Sequence, residues 1–417
     1  MTARARHVVF ALLVVTVPAG TMAQQAAPLT LDRAVERFLQ RNLAVEAARH
    51  RVDVARAEQL AARVRPNPTV TVSAENVPFS GPTPTSELYE IGTTYSHPIE
   101  LGGKRERRRN VADATVAVAE AQFADTLQRR LLDLKRAFYE VVLARHAVEH
   151  ATENRRALDT LVTLNETRFR AGAVAEGEVI KARVERGKLE TAVAQVRLEL
   201  QQAGIKLLDT LGESDFATAG MVEGELGPAP GPLGDLVTLR TAALGRRPAI
   251  VAAEQNTTLA ARRVALEESR KTPDVSPFVG LRRVGENNTV LFGISIPLPI
   301  MDRNEGGIAR ARAEARAAEA DLALERNRVL AEVEAAYRAW ENARDRVAAF
   351  DQGLLRQAEE SESIAKAAYQ EGAIELLAYL EAQRTRAEVR QQYLKALFDA
   401  RASMLQLEHA VGADVMR

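Results

Sequence analysis

Phe169-Arg170-Ala171-Gly172-Ala173-Val174 and Tyr369-Gln370-Glu371-Gly372-Ala373-Ile374 are one turn written twice, 200 residues apart. The offset still holds at Ala182 and Ala382, Leu207 and Leu407, and Gly212 and Gly412. Upstream, the stretch from Arg41 to Val45 resembles that from Arg247 to Val251. Self-similarity at a long period governs architecture, so it is read before local pattern. It predicts two copies of one unit, 24–223 and 235–417. The linker between them, 224–234, reads GELGPAPGPLG.

Working outward from the turns, the flanks carry no proline. All sixteen prolines lie within 18–98 or 228–299. Proline costs about 3 kcal/mol inside a helix, so the blocks 99–227 and 300–417 read as long helices. Each block divides at its tip glycine into an outgoing helix (roughly 104–170 and 305–370) and a returning one (roughly 174–211 and 374–411). An outgoing helix of that length spans about 100 Å. The second carries an apolar seam in steps of three and four: Ile308, Ala311, Ala315, Ala318, Leu322, then Val329, Val333, Ala336, Trp340, Ala343, Val347, Phe350 and Leu354. This is coiled-coil spacing, with alanines that allow close approach. Leu131, Leu134, Phe138, Val141 and Val148 repeat it in the first copy. Each copy therefore predicts a helical hairpin, about 103–212 and 305–412.

Before each hairpin, one helix is expected at 31–64 and another at 235–270. Thr30 or Asp32 caps the first and Asp235 the second. Pro66-Asn67-Pro68 and Pro273 stop them. Strands follow at about 69–79, 88–98, 274–284 and 289–299. Three of them alternate cleanly, as in Val290, Phe292, Ile294, Ile296 and Leu298 against Gly293 and Ser295. Such strands are near the ~9–11 residues that cross a bilayer. Four are too few to close, since the smallest single-chain barrels have about eight. An open edge in lipid leaves backbone groups unpaired. Either other chains complete a barrel or the strands form a small soluble sheet on a coiled coil; the signal segment and the paired hairpins favour the barrel.

Composition narrows the function classes. The 417 residues hold 56 basic and 56 acidic side chains, so the basic excess of a nucleic-acid binder is absent. There is no cysteine, which excludes disulfides, thiolate metal sites and cysteine nucleophiles. Aromatics are 5% and charged residues 27%, a composition of long helices rather than of a compact enzyme. Arg4, Arg6 and His7 precede an apolar run from Val8 to Val17, followed by Thr21-Met22-Ala23. Residues 1–23 thus read as a secretory signal peptide, the run being short of the ~20 residues of a spanning helix.

Over its mature length the chain resembles the TolC-type outer-membrane efflux factors. The resemblance rests on the duplicated plan and on the tips Arg168-Phe169-Arg170-Ala171-Gly172 and Tyr369-Gln370-Glu371-Gly372. The junction His97-Pro98-Ile99-Glu100-Leu101-Gly102-Gly103-Lys104-Arg105, with its counterpart Pro297 to Gly307, resembles the branch associated with cobalt, zinc and cadmium resistance. Many members carry a lipidated N-terminal cysteine, from which this chain departs. The resemblance implies a mainly α fold with a small β part: a duplicated helix–β-hairpin–long helical hairpin unit, assembled as a homotrimeric transmembrane β-barrel continued by an α-helical coiled-coil tunnel in the periplasm. It implies a passive duct in the outer membrane lipid, no enzyme and no cofactor, coupled to a periplasmic adaptor and an inner-membrane pump of the resistance-nodulation-division type. Divalent heavy metals are the expected cargo, organic toxicants the alternative. A periplasmic adaptor has one hairpin rather than two, and a soluble scaffold is the remaining rival.

Site residues follow from the same resemblance. Arg168, Phe169, Gly172, Tyr369 and Gly372 would form the adaptor-docking tips. Glu178 and Glu381, six and nine residues past the tip glycines, match acidic positions that line the closed periplasmic aperture; Lys181 and Ala378 stand where two more acids or amides are common. Each glutamate is equally readable as a plain surface carboxylate. The residues alone offer no catalytic set. His146 and His150 share a helical face without further ligands, which reads as a solvated surface. The basic runs Lys104, Arg105, Arg107, Arg108, Arg109 and Arg303, Arg310, Arg312, Arg316 read as a collar pairing with carboxylates such as Glu100, Glu106 and Glu305.

Overall fold

Thr30 starts the first helix by accepting from the Arg33 amide, and the helix ends after three turns. The computed structural model describes residues 28–77, 79–82, 84, 87, 89–216, 221–227 and 234–412. The signal segment and the centre of the linker lie outside the described residues. Two helices, α1 (Leu31–Arg41) and α2 (Leu43–Ala62), stand where one is expected. Their counterparts are α5 (Leu236–Arg246) and α6 (Pro248–Ser269), with Asp235 capping α5. The expectation of unbroken helices fails at Asn42 and Arg247, both in extended conformation. Asn42 caps α2 through its side-chain oxygen, 2.9 Å from the Val45 amide. Arg247 precedes Pro248, whose ring disfavours helical geometry in the residue before it.

The outgoing helix α3 (Lys104–Arg170) runs 67 residues without interruption. Its counterpart does not: α7 (Glu305–Ala349) passes through a wide turn at Phe350–Leu354 before α8 (Leu355–Glu371). Gly353 sits there at φ 128°, open to glycine and unfavourable to any other residue. The extra width rotates the chain, so Leu354, expected on the seam, is exposed, whereas Val329, Val333, Trp340 and Val347 are buried. The returning helices are α4 (Glu176–Leu211) and α9 (Leu376–Val411). They end on Gly212 and Gly412 in left-handed conformation. A Cβ on Gly212 would lie 2.5 Å from the Arg41 carbonyl oxygen, so the α1–α2 joint packs directly on the end of α4. Phe38, Leu134, Phe138, Leu207 and Leu211 close one core there, and Ile250, Val329, Val333 and Leu407 a second at the matching place.

Between the helices lies one antiparallel sheet, β1 (Thr69–Glu75), β2 (Glu90–Ser96), β3 (Ser276–Val284) and β4 (Asn287–Ser295), in that order, with β1 and β4 at its edges. The strands of the first half are seven residues long, shorter than expected. Register puts Val70 beside Tyr95, Tyr95 beside Val279 and Val279 beside Phe292. One face is therefore mainly apolar, exposed at Val72, Leu281, Val290 and Phe292, with Thr93 within it and Arg283 and Asn288 at its loop end. The other face carries Thr71, Ser73, Gly92, Thr94 and Arg282, which pairs with Glu90 at 2.9 Å.

Candidate functional site at the hairpin tips

The two tip turns are built alike. Gly172 (φ 72°) and Gly372 (φ 78°) take the left-handed conformation that reverses a helix, and the next residue's amide, Ala173 or Ala373, bonds back to the Arg168 or Ala368 carbonyl. A Cβ at either glycine would meet nothing. The turns are thus open surface, and only backbone conformation specifies glycine.

Arg168 joins them. Its guanidinium donates to the Tyr369 carbonyl at 3.1 Å and to that of Gln370, and it lies 5.2 Å from the centre of the Tyr369 ring. Cationic donors at a helix C-terminus offset the negative end of the helix dipole; here the donor comes from the other hairpin. Tyr369 is buried. Its hydroxyl donates to the buried Asn165 Oδ1 and lies 3.5 Å from Glu178. The ring stacks on Tyr379, 5.6 Å centre to centre. Burial, followed by the Glu362 carboxylate, pushes the Tyr379 hydroxyl up to about 12. Burial raises Tyr369 too, reinforced by Glu178 and opposed by Asn165 and Arg168. Both phenols stay neutral donors at any physiological pH. Leu158, Leu161, Val162 and Leu376 pack around them. The tips form one body rather than two loose ends.

The expected site residues separate into distinct settings. Arg168 and Tyr369 meet. Phe169 is exposed beside them. Glu178 is half-buried, turned toward Tyr369, while Glu381 and Ala378 on α9 and Lys181 on α4 are exposed. Within this chain the two glutamates do not converge. Asn165 and Tyr379 are absent from the expected set. An amide within the stripe Leu158, Leu161, Val162, Asn165 is the signal that finds the first, since a polar residue in an apolar seam fixes register.

Above the tips a second polar bridge links the hairpins. Arg386 donates to Asn154 at 2.7 Å, and Asn154 contacts His150 at 3.1 Å. Burial lowers the His150 pKa, with Arg386 acting in the same direction. His146 faces Glu149 instead. No group of three or more potential metal ligands occurs among the described residues. At the sheet end, the basic run is largely structural. Arg105 and Arg108 donate to the carbonyls of Ala62, Arg63 and Val64 at the end of α2, Arg108 pairs with Glu100, and Lys104 reaches Asp274 at 2.7 Å. Arg312 pairs with Glu268.

Comparison with known proteins gives four consistent results. The family model described as outer membrane efflux protein matches residues 34–213 and 239–413. The cobalt-zinc-cadmium resistance protein CzcC of Cupriavidus metallidurans is 29% identical over 384 residues, 90% of this chain and 88% of that protein. The nickel and cobalt resistance protein CnrC of the same organism is 27% identical, over 71% of this chain and 72% of that protein. The CmeC outer membrane channel of Campylobacter jejuni superposes with a TM-score of 0.79 at 18% identity, over 92% of this chain and 86% of that one.

Proposed function

Because this chain belongs to the outer membrane efflux protein family, we propose that it is the outer-membrane exit duct of a three-part export system whose cargo is a divalent heavy-metal cation. The observation that carries the cargo is the near full-length similarity to a cobalt-zinc-cadmium resistance protein. The duct reading is supported by the sheet, which has a lipid-compatible face, a polar face and two unpaired edges. Successive strands alternate in direction, so β4 of one chain and β1 of the next meet antiparallel. Three chains close a barrel of about twelve strands with no edge left in lipid. The α3–α4 and α7–α9 hairpins continue it as a periplasmic tunnel. In this reading the tips around Arg168, Phe169, Gly172, Tyr369 and Gly372 dock a periplasmic adaptor, and an inner-membrane pump supplies the energy. Glu178 and Glu381 line the aperture, where three-fold symmetry gathers carboxylates that attract cations. The chain performs no chemistry.

Deleting the gene and scoring growth on zinc, cobalt and cadmium tests this. Metal tolerance falls and returns with the intact gene. Loss of tolerance to organic toxicants alone would overturn the cargo while leaving the duct.

A further inference from the structure

The hydrogen-bonded strands of the first half are too short for the membrane they face. Seven residues of β2 advance about 20 Å, or about 15 Å along the membrane normal at a tilt of ~40°, against an apolar band of about 25 Å. The missing height is not at the loop end. There Arg283 and Asn288 pair on the apolar face, directly beyond Leu281 and Val290, and close it off.

At the tunnel end the apolar face continues past the ladder. Ile99 bridges Val275 and keeps the chain extended beyond β2, and Ile99 and Leu101 are both exposed. After β4, Ile296, Leu298, Ile300 and Met301 are exposed, Met301 almost completely (98%). From Ile91 through Thr93, Tyr95, His97 and Ile99 to Leu101 the same face advances ten steps, about 33 Å along the strand and about 25 Å along the normal. The added segment restores the full height of the band.

Immediately beyond this apolar rim every strand carries basic residues: Arg63 and Arg65 before β1, Lys104 and Arg105 after β2, Arg270 and Lys271 before β3, Arg303 after β4. Lys104, Arg105 and Arg270 are held by Asp274, the Arg63 carbonyl and Glu267. The exposed side chains of Arg63, Arg65 and Lys271 have no hydrogen bond or ion pair among the described residues, and Arg303 reaches only the Pro299 carbonyl.

We infer that this rim, the Ile99–Leu101 and Ile296–Met301 segments with Arg63, Arg65, Lys271 and Arg303, binds the phosphate headgroups of anionic phospholipids in the periplasmic leaflet. The inference rests on the barrel reading above and adds a depth and a ligand to it. Apolar side chains exposed next to unpaired cations suit a surface with acyl chains on one side and phosphates on the other. Closure sharpens the match, because Ile296–Met301 of one chain then adjoins Arg63 and Arg65 of the next.

Two measurements on the full-length detergent-extracted trimer test it. The first uses phosphatidylcholine vesicles with phosphatidylglycerol as the minor lipid. Lipid retained on gentle re-extraction is expected to be enriched several-fold in phosphatidylglycerol. The enrichment should collapse to the vesicle ratio in the Arg63→Gln/Arg65→Gln/Lys271→Gln/Arg303→Gln variant, and at high salt. Retention at the vesicle ratio by the unaltered protein, or enrichment surviving in the variant, overturns the inference. The second exploits the absence of cysteine. Nitroxide on Leu298→Cys or Met301→Cys is expected to be relaxed by dissolved oxygen and not by a water-soluble nickel chelate. Relaxation by the chelate puts the rim in water; protection from both buries it against a neighbouring chain; either result overturns the inference. A stable trimer without enrichment sinks this inference alone, whereas a chain that neither trimerises nor enters vesicles sinks the barrel as well.

Discussion

Where α1 meets α2, the Asn42 amide donates to the Thr210 carbonyl at 2.7 Å; where α5 meets α6, the Arg247 guanidinium donates to the carbonyl of His409. Both joints bring a side chain to the last turn of the returning helix, just before Gly212 or Gly412. The first half does this with a neutral group. The second uses a buried charge, also bound to His409 Nε2 at 2.7 Å and to Glu332 at 3.4 Å. The outgoing helices differ in the opposite sense. α3 is uninterrupted, while its counterpart yields at Gly353. What the two halves share is therefore a requirement of the backbone: a helix end facing another helix must have its carbonyls satisfied. The chemistry that meets the requirement is free to change, and with it the response to mutation and pH.

The largest contrast is expected from truncating the two joint residues. Arg247→Ala leaves the His409 carbonyl and ring nitrogen without their buried donor, while Glu332 keeps Arg328, and should cost about 3 kcal/mol. Asn42→Ala removes one cap and one neutral bond, about 1–2 kcal/mol. Urea unfolding of detergent-solubilised protein, followed by helical circular dichroism, reads both. Equal losses would erase the distinction between the halves.

Glycines sort next. Gly212→Ala sets a methyl against the Arg41 carbonyl as well as in a left-handed conformation, and should cost about 3 kcal/mol. Gly412→Ala meets the Arg246 carbonyl less closely, at 3.0 Å, and should cost somewhat less. Gly172→Ala and Gly372→Ala carry only the conformational cost, about 1 kcal/mol. Gly172→Val and Gly372→Val should leave the trimer assembled while impairing export through the exposed turns. Full metal tolerance in both valine variants would remove the tips from the docking surface.

Of the two joints, acid should act on one only. Burial, then the Arg247 charge, lowers the His409 pKa to about 4. Arg247 donates to its ring nitrogen, so the folded chain holds the neutral imidazole. A depressed folded pKa means that unfolding takes up a proton between about pH 6.5 and 4. Stability is full above pH 6.5 and falls as pH drops through that window, by about 2 kcal/mol after allowance for solvent screening. Among the described residues the Asn42 joint has no titrating counterpart. In His409→Gln this part of the acid slope should vanish; an unchanged slope would assign the sensitivity elsewhere, for instance to His150.

The smallest effect concerns Glu178 and Glu381. Glu178→Gln/Glu381→Gln should lower cation selectivity in planar-bilayer recordings at low salt with little loss of stability, and salt should blunt the change. Selectivity that stays the same would leave both as ordinary surface charges.

The repeated tip glycines made the hairpins legible because a positive φ between two helices leaves few choices of residue. Strand alternation likewise exposed the apolar face of the sheet. The joints were less visible. Asn42 before an apolar run and Pro248 at a first helical position both mark a helix start, yet each sits inside a helical periodicity that continues across it. Gly353 carries no sequence signal strong enough to separate it from a tolerated helical glycine, which costs about 1 kcal/mol. Glu178 could not be told from a surface carboxylate because Tyr369, which it faces, is distant in sequence and arrives only through packing of the two hairpins.

Closure of the sheet by neighbouring chains is the central claim, and inter-chain cross-linking tests it most directly. Within one chain β1 and β4 are separated by three strand spacings, about 14 Å, and only a closed ring brings such edges together. With no native cysteine, Val72→Cys can be combined in turn with Val290→Cys, Phe292→Cys and Ile294→Cys. Treatment of outer membranes with a short bis-maleimide should give covalent dimers and trimers that resist boiling for at least one pair. Monomer alone, from every pair, would contradict a barrel shared among three chains.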